Sequence, residues 1–282
     1  ARQRKPFLDA WPYTFIQADI TDETGMAEAL AGHAFDAVLH TASANDHFVP
    51  GYPRLALEAN AWGTRSLLQA LATHGQQPRV LYLSTFHAYG KGSGEVTEDT
   101  FPTPKNDYGT THLFGEQYVR QFTQTHGIPH TIIRLTNSYG CPLNPHTSKW
   151  YLILNDLARM AATEQRIALK GNGKAARDFI WMGDVCQVLA QAVQAPGTTN
   201  ETYNLGAGRS WSMLQIAEAV QLAWQEVSGQ QLPIELNEAN PYQPGPPLQV
   251  RTDKLQAVLP FTPQLRFVAE AKAVFTLEKK KK

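Results

Sequence analysis

Four short apolar runs, separated by longer stretches of helical periodicity, constrain the fold of this chain more than any other feature. The runs lie at residues 13–17, 37–40, 79–84 and 130–135, and the helical stretches at 24–31, 53–73 and 108–125. Each run is apolar at consecutive rather than alternate positions, as in Val80-Leu81-Tyr82-Leu83. Continuous apolarity of that length marks a strand covered on both faces. Strands of this kind joined through helices form βαβ units, so the expected architecture is α/β, a doubly wound parallel sheet. Such sheets bind ligands beyond the C-terminal ends of their strands, which directs attention to Ser84 and Thr85.

After residue 140 the texture changes. Pro142, Pro145, a helix-like stretch at 149–162, Gly171-Asn172-Gly173 and the loop-like 240–247 imply smaller elements with longer connections. The expected organisation is a sheet domain over 1–140 and a smaller lobe over 141–282, interleaved with it.

Charge and cysteine usage narrow the function classes. The 282 residues carry 25 basic and 25 acidic side chains, a formal net charge of zero. A balanced chain has no long-range field to draw it onto nucleic acid or an anionic membrane. No apolar stretch approaches the ~18 residues that span a bilayer, and the polar, basic first residues lack a signal-peptide core, so the expected compartment is cytoplasmic. Cys141 and Cys186 stand apart without metal-ligand spacing, and no metal site is expected.

The chemistry-bearing residues fall in two segments, Leu83-Ser84-Thr85-Phe86-His87-Ala88-Tyr89-Gly90 and Asp107-Tyr108-Gly109-Thr110-Thr111-His112. Tyr108 and His112 are four apart and share one helical face. A strand-end hydroxyl, a phenol and an imidazole are the parts needed for proton transfer coupled to hydride transfer.

These segments, with Asp19-Ile20, His40-Thr41-Ala42-Ser43, Asn60-x-x-Gly63-Thr64, Asn137-Ser138-Tyr139-Gly140, Arg177-Asp178-Phe179-Ile180, Asn204-Leu205-Gly206 and Asp253-Lys254, occur in the order and spacing of a known family. The chain resembles the extended short-chain dehydrogenase/reductase superfamily, in its NAD-dependent epimerase/dehydratase branch, which modifies nucleotide sugars. The resemblance implies a Rossmann-type sheet, a C-terminal substrate lobe and NAD or NADP as cofactor. It implies that Tyr108 is the acid/base, assisted by Thr85. His112 stands where the family carries lysine, and a ring of pKa about 6.5 gives a phenolate less electrostatic help, which implies slower or more pH-sensitive turnover. On the cofactor side the resemblance points to Asp19, Ile20, His40, Ala42, Ser43 and Asn60, with Tyr108 and His112. On the substrate side it points to Thr85, His87, Asn137, Lys149 and Arg177. Simpler roles compete at several positions: packing for His87 and His112, turn formation for Asn137, a solvated helix charge for Lys149.

Two further departures accompany the resemblance. Family dehydratases often carry Asp-Glu directly after the threonine, and here those positions are Phe86 and His87, so epimerisation or keto reduction is expected before 4,6-dehydration. No Gly-x-x-Gly-x-x-Gly segment occurs, although dinucleotide binding in this fold uses a glycine-rich turn to bring backbone N–H groups to the pyrophosphate. The expectation is that the first strand, glycine turn and second strand lie outside this sequence; the rival is a non-catalytic relative that binds a nucleotide sugar or a partner. Arg2, Arg4 and Lys5 hint at NADP, though a charged loop explains them equally. By analogy the resemblance also implies a homodimer paired through the helices at 53–73 and 108–125.

Overall fold

The computed structural model describes residues 11–45, 49–239, 243 and 245–279. The first half alternates as expected: α1 (Glu23–Leu30), β1 (Ala37–His40), α2 (Tyr52–Ala56), a π-helical turn (Leu57–Trp62), α3 (Gly63–Thr73), β2 (Arg79–Thr85), a 3₁₀ turn (Phe86–Tyr89), β3 (Gly94–Val96), α4 (Asp107–His126) and β4 (His130–Leu135). The second half is finer grained: β5 (Asn137–Tyr139), a 3₁₀ turn (Lys149–Tyr151), α5 (Ile153–Glu164), β6 (Ile167–Ala168), β7 (Ala176–Trp181) and α6 (Met182–Gln194). It continues with β8 (Glu201–Leu205), β9 (Ser210–Ser212), α7 (Met213–Ser228), β10 (Ile234–Glu235), β11 (Leu248–Val250), α8 (Asp253–Val258) and α9 (Phe267–Lys279).

The main sheet has the order β1-β2-β4-β8, and every pairing in it is parallel. Its continuous apolar strands serve two cores because successive residues point to opposite faces. Val80, Tyr82 and Ile132 pack with Leu68, Leu71, Val119 and Phe122 from α3 and α4. Leu81 and Ile133 face the other way, onto Val185, Val188 and Leu189 of α6 and Leu255 of α8. Helices on both faces make the doubly wound layer, and each fully buried Leu or Ile contributes roughly 1.5–3 kcal/mol to it.

The later residues build a third core from α5, α7 and α9, with Leu157, Val220, Phe267 and Phe275 among its members. It sits beside a separate sheet of order β5-β7-β9. The chain passes between the two units: α6 packs on the main sheet and β8 completes it beside β4.

Three local expectations are corrected. Residues 13–17 form no strand, because a strand exists only through its ladder, and β1 is the edge of the described sheet. The helix at 53–73 begins one residue earlier, at Tyr52, and carries the π-helical turn in its middle. The stretch at 149–162 is a 3₁₀ turn, an extended Leu152 and then α5, which runs on to Glu164. Arg2, Arg4 and Lys5 lie outside the described residues. Among the described residues no helix is long and apolar enough to cross a membrane, and no cluster of His, Cys, Asp and Glu has the makings of a metal site. Cys141 and Cys186 are free thiols.

Candidate active site

The ends of β2 and β4 open into a cavity of about 920 Å³, lined by residues of the sheet, of α4 and of the later lobe. At its floor Thr85 closes β2 and caps the following 3₁₀ turn, its hydroxyl accepting from the His87 N–H at 3.2 Å. That turn sends its first two side chains in different directions. Phe86 enters a small core with Tyr89, Val96, Leu248 and Val250, whereas His87 stays exposed on the cavity wall.

Asn106 fixes where α4 begins, its side chain accepting from Gly109 N at 2.8 Å as an N-cap. The first turn of α4 then lies so close to the 3₁₀ turn that a Cβ on Gly109 would stand 2.5 Å from the His87 carbonyl oxygen. Glycine permits this approach, and the approach brings Tyr108 to Thr85. Burial raises the Tyr108 phenol above its ordinary pKa, and the neighbouring Thr85 side chain pulls in the opposite direction. Imidazoles flank the ring edge-on: His112 with centroids 4.6 Å apart and His87 at 5.6 Å.

His112 is 2% exposed, with Nε2 3.0 Å from Ser43 Oγ and Nδ1 3.1 Å from Tyr82 Oη. Burial, aided by the neighbouring His40, lowers its pKa to about 4. The ring is therefore neutral through the physiological range, and the pH sensitivity expected from a pKa near 6.5 moves to the acid side.

One turn further along α4, Glu116 is completely buried under the site. It takes Arg134 Nε at 2.9 Å, Arg134 Nη2 at 2.7 Å, the Ser84 hydroxyl at 2.6 Å and Arg120 Nη2 at 3.2 Å. Burial alone would push its carboxyl up, but Arg134, Ser84 and Arg120 together hold it below the usual range. The pair locks α4 to β4 and so fixes Tyr108 relative to the sheet.

The cofactor-side residues divide between wall and support. Asp19, Ile20, Ala42 and Ser43 line a second cavity of about 540 Å³, and Ser43 lines the first one too. Asp19 accepts from Thr21 N at 3.1 Å and Thr21 Oγ1 at 2.9 Å. His40 and Asn60 line neither cavity. Asn60, in the π-helical turn, clamps the loop after β1 by accepting from Ala44 N at 2.7 Å and donating to Ala44 O at 3.1 Å and to Thr111 Oγ1 at 3.0 Å. Such turns recur at functional sites, and here one turns an amide inward. The second cavity's apolar side, including Ile16, Ala18, Met26 and Leu30, with the Asp19 carboxylate as acceptor, suits a flat ring bearing amino donors. This lining fits an adenosine, and the Ser43, Tyr108 and His112 side fits a ribose-linked nicotinamide.

On the substrate side Asn137, Lys149 and Arg177 all line the large cavity. Asn137 donates to the Asp178 carbonyl at 3.1 Å, Arg177 to the Ala176 carbonyl at 2.7 Å, and Lys149 Nζ to Asn45 Oδ1 at 2.5 Å. The geometry adds residues to which the sequence reading gave no role. Asn155, 1% exposed on the same wall, donates to the Lys149 carbonyl at 3.2 Å and leaves Oδ1 unbonded. A lone amide after Leu152-Ile153-Leu154 is the signal that marks it. Arg134 inside the apolar strand His130–Leu135 is another, since a buried cation requires a partner, and Glu116 is that partner.

Comparison with known proteins bears on the family and the fold. Residues 1–206 match the family described as NAD dependent epimerase/dehydratase. Over 220 residues the chain is 29% identical to dTDP-glucose 4,6-dehydratase of Xanthomonas campestris, an alignment covering 74% of this chain and 61% of that protein. The chain thus spans about three fifths of the length of that relative. It is 27% identical to an uncharacterized UDP-glucose epimerase of Bacillus subtilis, covering 83% of this chain and 71% of that one. Among solved structures, a putative epimerase from Burkholderia cenocepacia superposes with a TM-score of 0.77 at 25% identity, over 94% of this chain and 82% of the other. UDP-glucuronic acid 4-epimerase from Bacillus cereus, solved with NAD, superposes with a TM-score of 0.77 at 22% identity, over 94% and 80%. The match over residues 1–206, carried on a parallel sheet with Thr85 at the end of β2 and Tyr108 in the first turn of α4, places this chain in the NAD-dependent epimerase/dehydratase family.

Proposed function

We propose that this chain carries the catalytic and substrate-binding residues of an NAD(P)-dependent nucleotide-sugar epimerase or keto-reductase. The observation that supports the reading best is the placing of the Tyr108 phenol beside the Thr85 side chain on the lining of a 920 Å³ cavity at the strand ends. Tyr108 takes the proton of a sugar hydroxyl as that carbon is oxidised, and returns it to the oxygen when the carbonyl is reduced. Thr85 hydrogen-bonds the same oxygen and holds the phenol in place. The nicotinamide cofactor, when bound, supplies the acceptor and donor of hydride. Asp19, Ile20, Ala42 and Ser43 hold its adenosine side, with Asn60 and His40 supporting their loop. Arg177 and Lys149 meet the substrate diphosphate, Arg177 through its planar fork, and Asn137 adds an amide donor. His87 lies beside the sugar. Phe86 turns into the core, and Asp107 is the one carboxylate lining the cavity among the described residues, so water elimination by a paired acid and base is disfavoured. The lobe after residue 140 is the substrate half. Trp62 and Phe114, both more than two-fifths exposed on the helices facing away from the sheet, are the natural seam of a homodimer.

Incubation with NAD and a nucleotide hexose, followed by proton NMR of the sugar, tests the reading. Wild type interconverts epimers or reduces a keto sugar, and Tyr108→Phe loses about 10²- to 10⁴-fold of the rate while still binding the nucleotide sugar. Retained turnover in Tyr108→Phe would refute the assignment. A second reading, a relative that binds without turning over, is favoured by the neutral His112 beside a phenol whose pKa is raised. Nucleotide-sugar binding with no turnover in wild type selects it.

A further inference from the structure

Tyr82 lies in the middle of β2, 1% exposed, with its ring between two imidazoles, His40 at 5.3 Å and His112 at 6.0 Å between centroids. Its hydroxyl stands 3.1 Å from His112 Nδ1 and 3.4 Å from the His112 carbonyl oxygen. The space for that hydroxyl comes from Gly115, where a Cβ would fall 2.2 Å from Tyr82 Oη. A polar group at the centre of a strand, with a gap left for it in the facing helix, has a specific partner to serve.

Counting protons along the network narrows what each group can donate. Thr64 has one hydroxyl proton, and it goes to the Asn60 carbonyl at 2.7 Å. Thr64 Oγ1 therefore accepts from His40 Nε2 at 2.9 Å, and it has no proton left for the nearby phenol. Tyr82 keeps its own proton, since burial pushes the phenol far above neutral pH. The strongest acceptor in its reach is the imidazole nitrogen of His112. A proton donated to Nδ1 leaves His112 protonated at Nε2, which then donates to Ser43 Oγ at 3.0 Å. Ser43, which lines both cavities, then has its own proton to offer a ligand.

We propose that Tyr82 is a positioning residue that locks His112 in the Nε2–H tautomer, so that the wall shared by the two cavities presents hydrogen-bond donors to a bound ligand's hydroxyl or ribose oxygens. Without the Tyr82 hydroxyl, Nδ1 competes for the proton and the wall presents an acceptor in part of the molecules. The tautomer itself stands independently of the proposed reaction, and only its consequence for ligand polarity rests on that reading.

Long-range ¹H–¹⁵N correlation spectra of the uniformly ¹⁵N-labelled chain at neutral pH read the tautomer directly, with the His112 signals assigned by their loss in His112→Gln. The expected wild-type pattern is a protonated Nε2 and an unprotonated Nδ1. Tyr82→Phe, which removes one oxygen and keeps the ring, should shift both nitrogens toward a mixture of tautomers. Ser43→Ala should leave the wild-type pattern, because a serine hydroxyl accepts or donates equally well and does not choose. A wild-type ring protonated at Nδ1, an unchanged pattern in Tyr82→Phe, or a switch in Ser43→Ala overturns the proposal. Should Tyr82→Phe fail to fold, the wild-type and Ser43→Ala spectra decide it. Failure of nucleotide-sugar binding would remove the functional reading and leave this measurement intact.

Discussion

Replacing Glu116 by Gln should destabilise the protein by about 3 kcal/mol, the lower end of the range for breaking a buried ion pair from one side. The figure follows from the surroundings. Glu116 is 0% exposed and Arg134 3%, so neither charge has water to fall back on. The carboxylate receives four hydrogen bonds, two of them from Arg134. Glutamine keeps the shape and one acceptor oxygen, but its NH₂ group turns two donors toward the guanidinium and leaves that cation uncompensated. With a urea slope of roughly 3 kcal/mol/M for a chain of this size, the unfolding midpoint should fall by about 1 M, measured by tryptophan fluorescence. The variant should also lose an acid limb. The folded-state pKa of Glu116 is depressed, so its stabilisation is present above its unfolded value and disappears as pH falls through the folded one. The double variant Glu116→Gln/Arg134→Met should recover much of the loss, because an apolar pair needs no compensation. A midpoint shift under about 0.3 M, or a double variant as unstable as the sum of its parts, would refute the reasoning.

Two further outcomes follow from other parts of the structure. Gly115→Ala forces a methyl to within 2.2 Å of Tyr82 Oη, so it should cost about 1–3 kcal/mol as overpacking, and Tyr82→Phe should relieve part of that cost in a thermal-melt series. His40, His112 and His130 are each lowered by burial to about 4, below an unfolded value near 6.5. The unfolded chain therefore binds more protons between pH 6.5 and 4, and stability should fall steeply as pH drops through that window. A flat urea midpoint from pH 6.5 to 4.5 would show that these rings are solvated.

The sequence by itself determined the layer. Short apolar runs at 79–84 and 130–135 between helical stretches read as strands buried on two faces, and the structure pairs them in parallel between helices. It also brought Thr85 and Tyr108 forward, because a strand end and a helix start are local features. Asn106, Gly109 and Gly127 punctuate α4 with ordinary capping chemistry. Residues 13–17 misled because apolarity allows a strand while only a neighbour makes one. The π-helical turn escaped notice because it depends on Asn60 reaching Ala44 and Thr111, contacts that no spacing within the helix encodes.

Tertiary structure alone decided the electrical state of the site. His112 in a sequence has the pKa of an imidazole in water, and only the fold removes that water and sets Tyr82 and Ser43 against its two nitrogens. Glu116 and Arg134 are 18 residues apart, and their pairing exists because α4 crosses over β4. Periodicity reports which face of an element is buried, a property of the element alone. The polarity of a cavity depends on which buried faces meet there, and that is a property of the whole chain.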